Sequence, residues 1–417
     1  MSVRNDRWWE AFEDPSLDAL VQLAIARNPD LAAAAVRVRR ASLQARLTGN
    51  ALLPIPNGNL STNVARPMSG ARRAAETATG ALGLSWEADL FGKLAADRDA
   101  ARFEALATAE DRDAAFLSLV GTATSLHWQI GLANDRIAQG ERSLAYARRT
   151  QALVETQYQA GAVSALERRE VEQTVTTQEA ALSELRQTRT EARKALMVLL
   201  DGSSPPMPER QGLDDPVLPA IAPGLPAELL GRRPDLRAAE LRLRRTLATG
   251  DATRASYYPA LTLTGGLGTS SNALLNVIAN PVATLGAGLT LPFLNARAMR
   301  FDTAIARTQY EEAVILFRKS LYTALAEVEN ALSAQAELAA QGQALARARD
   351  AAADAERLYE VRYRAGAVPV RSWLDAQERR RAADLALSVN RLAQLQNRVT
   401  LYQALGGGFG QSSGATP

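Results

Sequence analysis

Tyr158-Gln159-Ala160-Gly161-Ala162-Val163 returns 205 positions later as Tyr363-Arg364-Ala365-Gly366-Ala367-Val368. Four further pairs keep that offset. They are Pro29-Asp30-Leu31 with Pro234-Asp235-Leu236, Pro54 with Pro259, Gly83-Leu84 with Gly288-Leu289, and Leu200-Asp201-Gly202 with Leu405-Gly406-Gly407. Five matches in one order exceed chance, so the chain reads as two copies of one unit, 25–202 and 230–407. An N-terminal segment, 1–24, precedes them, and a tail, 408–417, follows. The connector, 203–229, holds Pro205, Pro206, Pro208, Pro216, Pro219, Pro223 and Pro226. Proline at that density stops a helix and stiffens the chain.

The quoted hexapeptides end the longest element of each copy. The stretches 92–157 and 297–362 lack proline and carry seven-residue combs. In the first, Phe116, Ala123, Ile130, Ile137 and Leu144 form one comb, and Leu119, Leu126, Ala133, Gly140, Ala147 and Val154 form the other. In the second, Ala324, Ala331, Leu338, Leu345, Ala352 and Tyr359 keep the same register, while the partner comb, Leu321 and Val328, turns polar at Gln335. These are the a and d positions of a heptad seam. Each helix predicted this way is roughly 100 Å long. The glycine turn reverses the chain into a second periodic helix, 165–200 or 370–405. A shorter amphipathic helix precedes each hairpin, at 16–50 and 228–256.

Between the short and the long helix the period changes to 2. Leu82, Leu84, Trp86, Ala88 and Leu90 alternate with Gly83, Ser85, Glu87 and Asp89, and the stretch 285–291 repeats the pattern. Partner strands are predicted at 54–65 and 257–268, with joining loops at 66–78 and 269–281. Four strands leave two raw edges and cannot close. Membrane barrels need about eight strands or more, apolar outside and polar inside. Three chains supply twelve strands and a twelve-helix tube. The fold class expected is therefore mainly α with a small β part. Long helical hairpins form a trimeric tunnel, and four strands per chain contribute to a twelve-stranded transmembrane barrel. Glu87 and Asp89, on the polar strand face, are expected to line the lumen and favour cations, with a rim position as the plainer alternative.

Composition narrows the function classes. The chain has 417 residues, 47% hydrophobic, with no cysteine and one histidine. That excludes disulfide frameworks, cysteine zinc sites and histidine triads, and His127 alone makes no metal site. No cofactor is expected. Three of the 48 cationic residues are lysines, and the arginines alternate with Asp and Glu at a net charge of +3. This is the pattern of solvated helix faces, and no nucleic-acid partner is expected. No stretch reaches about 18 apolar residues, the length of a spanning helix. Met1-Ser2-Val3-Arg4-Asn5 shows no apolar signal-peptide region, and no cysteine is available for a lipid.

The motifs, in their order, resemble the TolC-like outer-membrane factors, most closely the efflux lipoproteins of the NodT/OprM type. They are Trp8-Trp9-Glu10-Ala11-Phe12 with Asp14-Pro15-Leu17, Asn28-Pro29-Asp30-Leu31, Trp86-Glu87-Ala88-Asp89-Leu90-Phe91-Gly92 and Tyr158-Gln159-Ala160-Gly161 in the first copy. In the second they are Arg232-Arg233-Pro234-Asp235-Leu236, Tyr257-Tyr258-Pro259, Tyr363-Arg364-Ala365-Gly366, Leu374-Asp375-Ala376-Gln377 and Leu401-Tyr402-Gln403-Ala404-Leu405-Gly406-Gly407-Gly408. The resemblance implies a homotrimeric channel in the outer membrane, in contact with its lipid and extending into the periplasm. It implies a periplasmic adapter and an inner-membrane RND-type transporter as partners, in small-molecule efflux. It also implies a signal peptide and a lipid-modified cysteine, which this sequence does not show.

The same resemblance points to the helical tips, near 155–170 and 360–376, as gate and docking surface. The TolC pattern of two tip aspartates three residues apart reads Ser372 and Asp375 here, and its tip arginine position is Val368. Asp375 is expected to ring the aperture, against the alternative of a solvated carboxylate. Tyr363 is expected to bond between hairpins or to staple a helix end. Arg364 and Arg371 pair with acids of adjacent hairpins or remain surface charges. Gly161, Glu167 and Gly366 are assigned to adapter docking, with an inter-hairpin pair as the other reading of Glu167 and turn geometry as the plainer role of the glycines. Two other readings stay open, an exit duct for protein secretion and a coiled-coil scaffold outside the membrane.

Overall fold

Two helices, not one, fill the stretch ahead of the first strand: α1, Pro15–Arg27, and α2, Pro29–Gly49. The break is Asn28, held extended (φ −63°, ψ 122°) because Pro29 disfavours a helical residue before it. Asn28 Oδ1 accepts from the Leu31 N–H at 2.8 Å, and its Nδ2 donates to Leu199 O at 3.1 Å. In the second copy Arg233 precedes Pro234 and donates from Nη1 to Ala404 O at 3.2 Å. The two repeats thus use different side chains to satisfy the same orphan carbonyl at a helix end.

In this computed structural model the described residues are 7–66, 68, 75–213, 218–219, 231–271 and 281–407. Strand β1 is Ile55–Ala65 and β2 is Ala75–Ala88. The long helix α3, Lys93–Gln159, and its return α4, Ala165–Leu199, follow. The second copy gives α5, Pro234–Ala255, then β3, Ala260–Ser271, and β4, Pro281–Thr290. It ends on the long helix α6, Ala296–Arg364, and its return α7, Val370–Ala404. The strands reach further into the predicted loops than their apolar cores indicated, β2 beginning at Ala75. The tail 408–417, most of the two joining loops, and positions 214–217 and 220–230 of the connector lie outside the described residues. Among the described residues no helix is long and apolar enough to cross a membrane.

Packing divides the chain into two compact units that cut across the repeats. One comprises Met1–Ala34, Arg112–Pro234 and Tyr322–Pro417; the other comprises Ala35–Asp111 and Asp235–Leu321. The second unit holds a single antiparallel sheet in the order β1-β2-β3-β4. Its central pairing, Leu82 with Leu267 and Gly83 with Gly266, joins one repeat to the other. Leu60, Leu82, Leu84, Trp86, Leu263, Leu267, Leu285 and Leu289 share one face, and all are exposed. Beside the sheet, α5 is tied to α3 by Arg237–Glu110 and Arg245–Glu104, both at 2.7 Å.

The first unit has the larger core. The a and d combs of α3 are buried from Phe116 to Val154, apart from half-buried Gly140. The comb of α6 is buried at Ala324 and Ala331 and half-buried beyond. There α7 contributes amides: Asn390 and Gln394 donate to Leu338 O, and Asn397 to Ala331 O. A short 3₁₀ turn, Trp8–Phe12, lodges its aromatics in this core, Trp8 stacked on Tyr402 at 4.8 Å. Asp14 caps α1 and fastens three segments together. It accepts from the Ser16 and Leu17 amides at 2.9 and 3.2 Å. Its Oδ2 meets His127 Nε2 at 2.9 Å and Arg210 Nη1 at 2.7 Å.

Burial raises the Asp14 carboxyl, but the bonds from His127 and Ser16 outweigh it and hold the group well below the usual carboxylate range. A carboxyl depressed on folding stabilises the native state above its ordinary value, and that contribution is lost as pH falls towards the lower native value. Asp14→Asn should therefore lower thermal stability at neutral pH, by on the order of 2 kcal/mol. In melting curves the gap to wild type should hold from pH 7 to about 5 and narrow below about 4. Gly406 gives a second test. Its φ is +81°, and an added Cβ would lie 2.8 Å from the Arg232 carbonyl carbon, whereas at Gly161 (φ +73°) it meets open space. Gly406→Ala should lower the melting temperature more than Gly161→Ala does.

Candidate functional site at the hairpin tips

Each long helix stops the same way. The Gly161 N–H bonds Tyr158 O at 2.9 Å and the Ala162 N–H bonds Gln157 O at 2.8 Å. Gly366 and Ala367 do the same to Tyr363 O and Arg362 O, each at 2.9 Å. This is the Schellman arrangement, and its left-handed residue favours glycine. The turns then diverge. Ser164 and Glu167 form a capping box at the start of α4, with the Ser164 N–H on Glu167 Oε2 at 2.9 Å and the Leu166 N–H on Ser164 Oγ at 3.2 Å. The Ser164 hydroxyl holds the exposed Glu167 carboxyl below its ordinary pKa. On α7, Pro369 offers no side-chain cap, and the Ser372 N–H bonds Pro369 O at 3.1 Å.

Beneath the turns Val154, Val171, Val370, Trp373 and Leu374 make a small core, with Tyr146, Tyr359 and Tyr363 packed on it. Tyr363 stacks on Trp373 at 5.1 Å and donates from its hydroxyl to Gln157 Oε1 at 3.1 Å, so it joins the second hairpin to the first. Burial pushes the Tyr363 phenol up. Tyr146 meets the edge of Trp373 at 5.8 Å and donates to Glu360 Oε1 at 3.3 Å. Burial and the neighbouring Glu360 and Glu356 push the Tyr146 phenol up to about 12. Arg371 reaches Glu170 on α4 at 3.2 Å, a third tie between the hairpins after Tyr363–Gln157 and Tyr146–Glu360. Arg364 instead pairs with Glu360 of its own helix at 2.6 Å.

Tyr363, Arg364, Glu167 and Gly366 line one groove of about 580 Å³ together with Gln157 and Val368. Asp375 stands on α7, exposed, with no hydrogen bond or ion pair to a described residue. Sequence reasoning missed Trp373, Tyr146, Gln157 and Glu170. Trp373 is one of five tryptophans and sits between two singled-out positions, which was a usable signal. Nothing in a heptad comb marks Gln157 or Glu170, whose partners lie about two hundred positions away.

Glu87 and Asp89 lie elsewhere, in the unit that holds the sheet. The strand ends at Ala88, so Asp89 is not a strand residue as the alternation implied. Its carboxylate accepts from the Leu94 N–H at 3.0 Å and the Ala95 N–H at 2.8 Å, neutralising the start of α3. Glu87 remains on the polar face and accepts from Lys93 Nζ at 2.8 Å.

The profile of a family described as "Outer membrane efflux protein" matches residues 20–202 and 225–407. The pyoverdine export outer membrane protein OpmQ of Pseudomonas putida is 33% identical over 419 residues, covering 98% of this chain and 89% of that protein. The toluene efflux pump outer membrane protein TtgF of Pseudomonas putida is 32% identical, covering 96% and 85%. A crystal structure of CusC, described in terms of folding and transmembrane channel formation, superposes with a TM-score of 0.88. It is 26% identical and covers 95% of this chain and 93% of that one.

Ser164→Ala removes half of the capping box, a change worth about 1 kcal/mol. Hydrogen exchange should speed up at Leu166–Arg168 and leave the start of α7, which has no such cap, unchanged.

Proposed function

The chain belongs to the outer membrane efflux protein family, and we propose that three copies of it close one channel with the hairpin tips as its periplasmic gate. The chain is the outer-membrane channel component of an efflux system. The observation that carries the threefold reading is the sheet. Its apolar face is exposed and its outer strands, β1 and β4, have no partner on one side among the described residues. Copies that pair β4 with the next β1 remove both edges and leave the leucine face to lipid. Phe301, Ile305, Ile315, Leu316 and Tyr322 on α6 are likewise exposed in one chain, as an interface awaiting a copy would be.

The gate reading rests on three ties between hairpins, Tyr363–Gln157, Tyr146–Glu360 and Arg371–Glu170. All three must part if α6 and α7 move away from α3 and α4. Trp373 Nε1 and Gln377 Nε2 are buried without a hydrogen-bond partner. Asp375, unpaired and exposed, is the charge that three copies would gather at the aperture, with Ser372 one turn before it. The groove at the tips, with Gly366 and Glu167 on its wall, is the docking surface for a periplasmic adapter, which links the channel to an inner-membrane RND-type transporter. We read the cargo as small molecules, in line with the pyoverdine and toluene of the relatives' names.

Planar-bilayer recording tests this reading. Wild type should conduct weakly, Tyr363→Phe combined with Arg371→Ala should conduct several times more, and Asp375→Ala should lower cation preference. Unaltered conductance in the double variant would remove the latch, and unaltered selectivity in Asp375→Ala would remove the ring. Gly366→Trp should abolish pump-dependent resistance in cells while the isolated protein still assembles. Full resistance in that variant would place docking elsewhere.

A further inference from the structure

The polar face of the sheet carries a single ionisable side chain among those described, and it is already paired. By register Asn57, Gly83, Gly266 and Thr284 share a row on this face, as do Ser85, Thr264 and Gly286. Towards the helices the next row is Glu87, Thr262 and Gly288. Glu87 is held by Lys93 Nζ at 2.8 Å, with both side chains 31% exposed. A carboxylate and an ammonium this exposed still face water, so the field they present to passing ions is that of the pair.

Lys93 is an unusual residue where it stands. It is one of three lysines in the chain and the first residue of α3, where a cation opposes the helix dipole. Asp89 offsets that cost through its bonds to the Leu94 and Ala95 amides. Asp97, one turn into the helix, also feels Lys93, which counters the upward pull of burial on its carboxyl. Two carboxylates therefore act with this ammonium, Glu87 in direct contact and Asp97 through space. At the same offset of 205, the second repeat has Pro292 and Ala298, so each chain carries one such pair.

We propose that Lys93 is a selectivity-setting residue: by pairing with Glu87 it cancels a ring of carboxylates at the helical end of the barrel lumen, so that solutes of either charge pass the sheet. The proposal rests on the threefold channel reading above. Each pair adds no net charge to the wall, and the rest of that face offers amides, hydroxyls, glycines and a few apolar side chains such as Ile55 and Val282, none of which carries a charge. Selection by charge is then left to the tips.

The test is the reversal potential of the purified full chain in planar bilayers under a KCl gradient. In about 0.1 M salt, where the screening length is about 10 Å, Lys93→Met should raise the cation-to-anion permeability ratio about twofold. Glu87→Gln should shift it the other way, and the double variant should return to the wild-type value. Lys93→Arg should leave it unchanged. Wild-type protein that forms no pore would overturn the channel reading itself. Pores whose selectivity ignores both single substitutions, or a double variant that fails to restore it, would overturn the role of Lys93 alone.

Discussion

Unpaired backbone at the two outer strands is the constraint from which the rest of the molecule follows. β1 and β4 each expose one row of N–H and C=O groups, and their apolar face points away from any core of this chain. In hydrocarbon each unmatched group costs several kcal/mol, so an open four-stranded sheet cannot sit in a bilayer. It has to be closed by other strands. The central β2–β3 pairing explains why the unit is duplicated within one chain. Each repeat supplies a hairpin, and the register of Gly83 with Gly266 welds the two into one wall segment.

The helical part divides its interactions by strength. Around α3 and the N-terminal turn the core is aromatic, with Trp8, Trp9, Phe12, Phe116, Trp128 and Tyr402 in one cluster. Asp14 then locks the connector to it through Arg210, whose guanidinium also lies 4.6 Å above Trp128. Between α6 and α7 the seam is leaner, made of alanine against amides that bond helix carbonyls. At the tip the side-chain ties between hairpins are Tyr363–Gln157, Tyr146–Glu360 and Arg371–Glu170. The larger core thus lies around α3 and the N-terminal turn, and the smaller one lies at the hairpin tips.

Much of this was legible in the residues. The repeat offset, the proline-free helices, the glycine turns and the alternating strands all arise from local periodicity, which the sequence displays directly. The break at Asn28 was also readable, since Pro29 stands at the junction, but a continuous amphipathic pattern masked it. Asp89 was assigned to the strand because alternation does not reveal where a carboxylate leaves the sheet to cap a helix. The Asp14–His127–Arg210 cluster and the Tyr363–Gln157 bond were out of reach, because each joins residues more than a hundred positions apart. His127 could be seen as lone, but its partner could not be seen.

The central claim is that one chain is an incomplete wall and that identical neighbours finish it. The mass of the assembly in mild detergent, measured by native mass spectrometry, tests this most directly. A single species of three chains is expected; a stable species of one chain, with its sheet still formed, would show that the wall needs no neighbours.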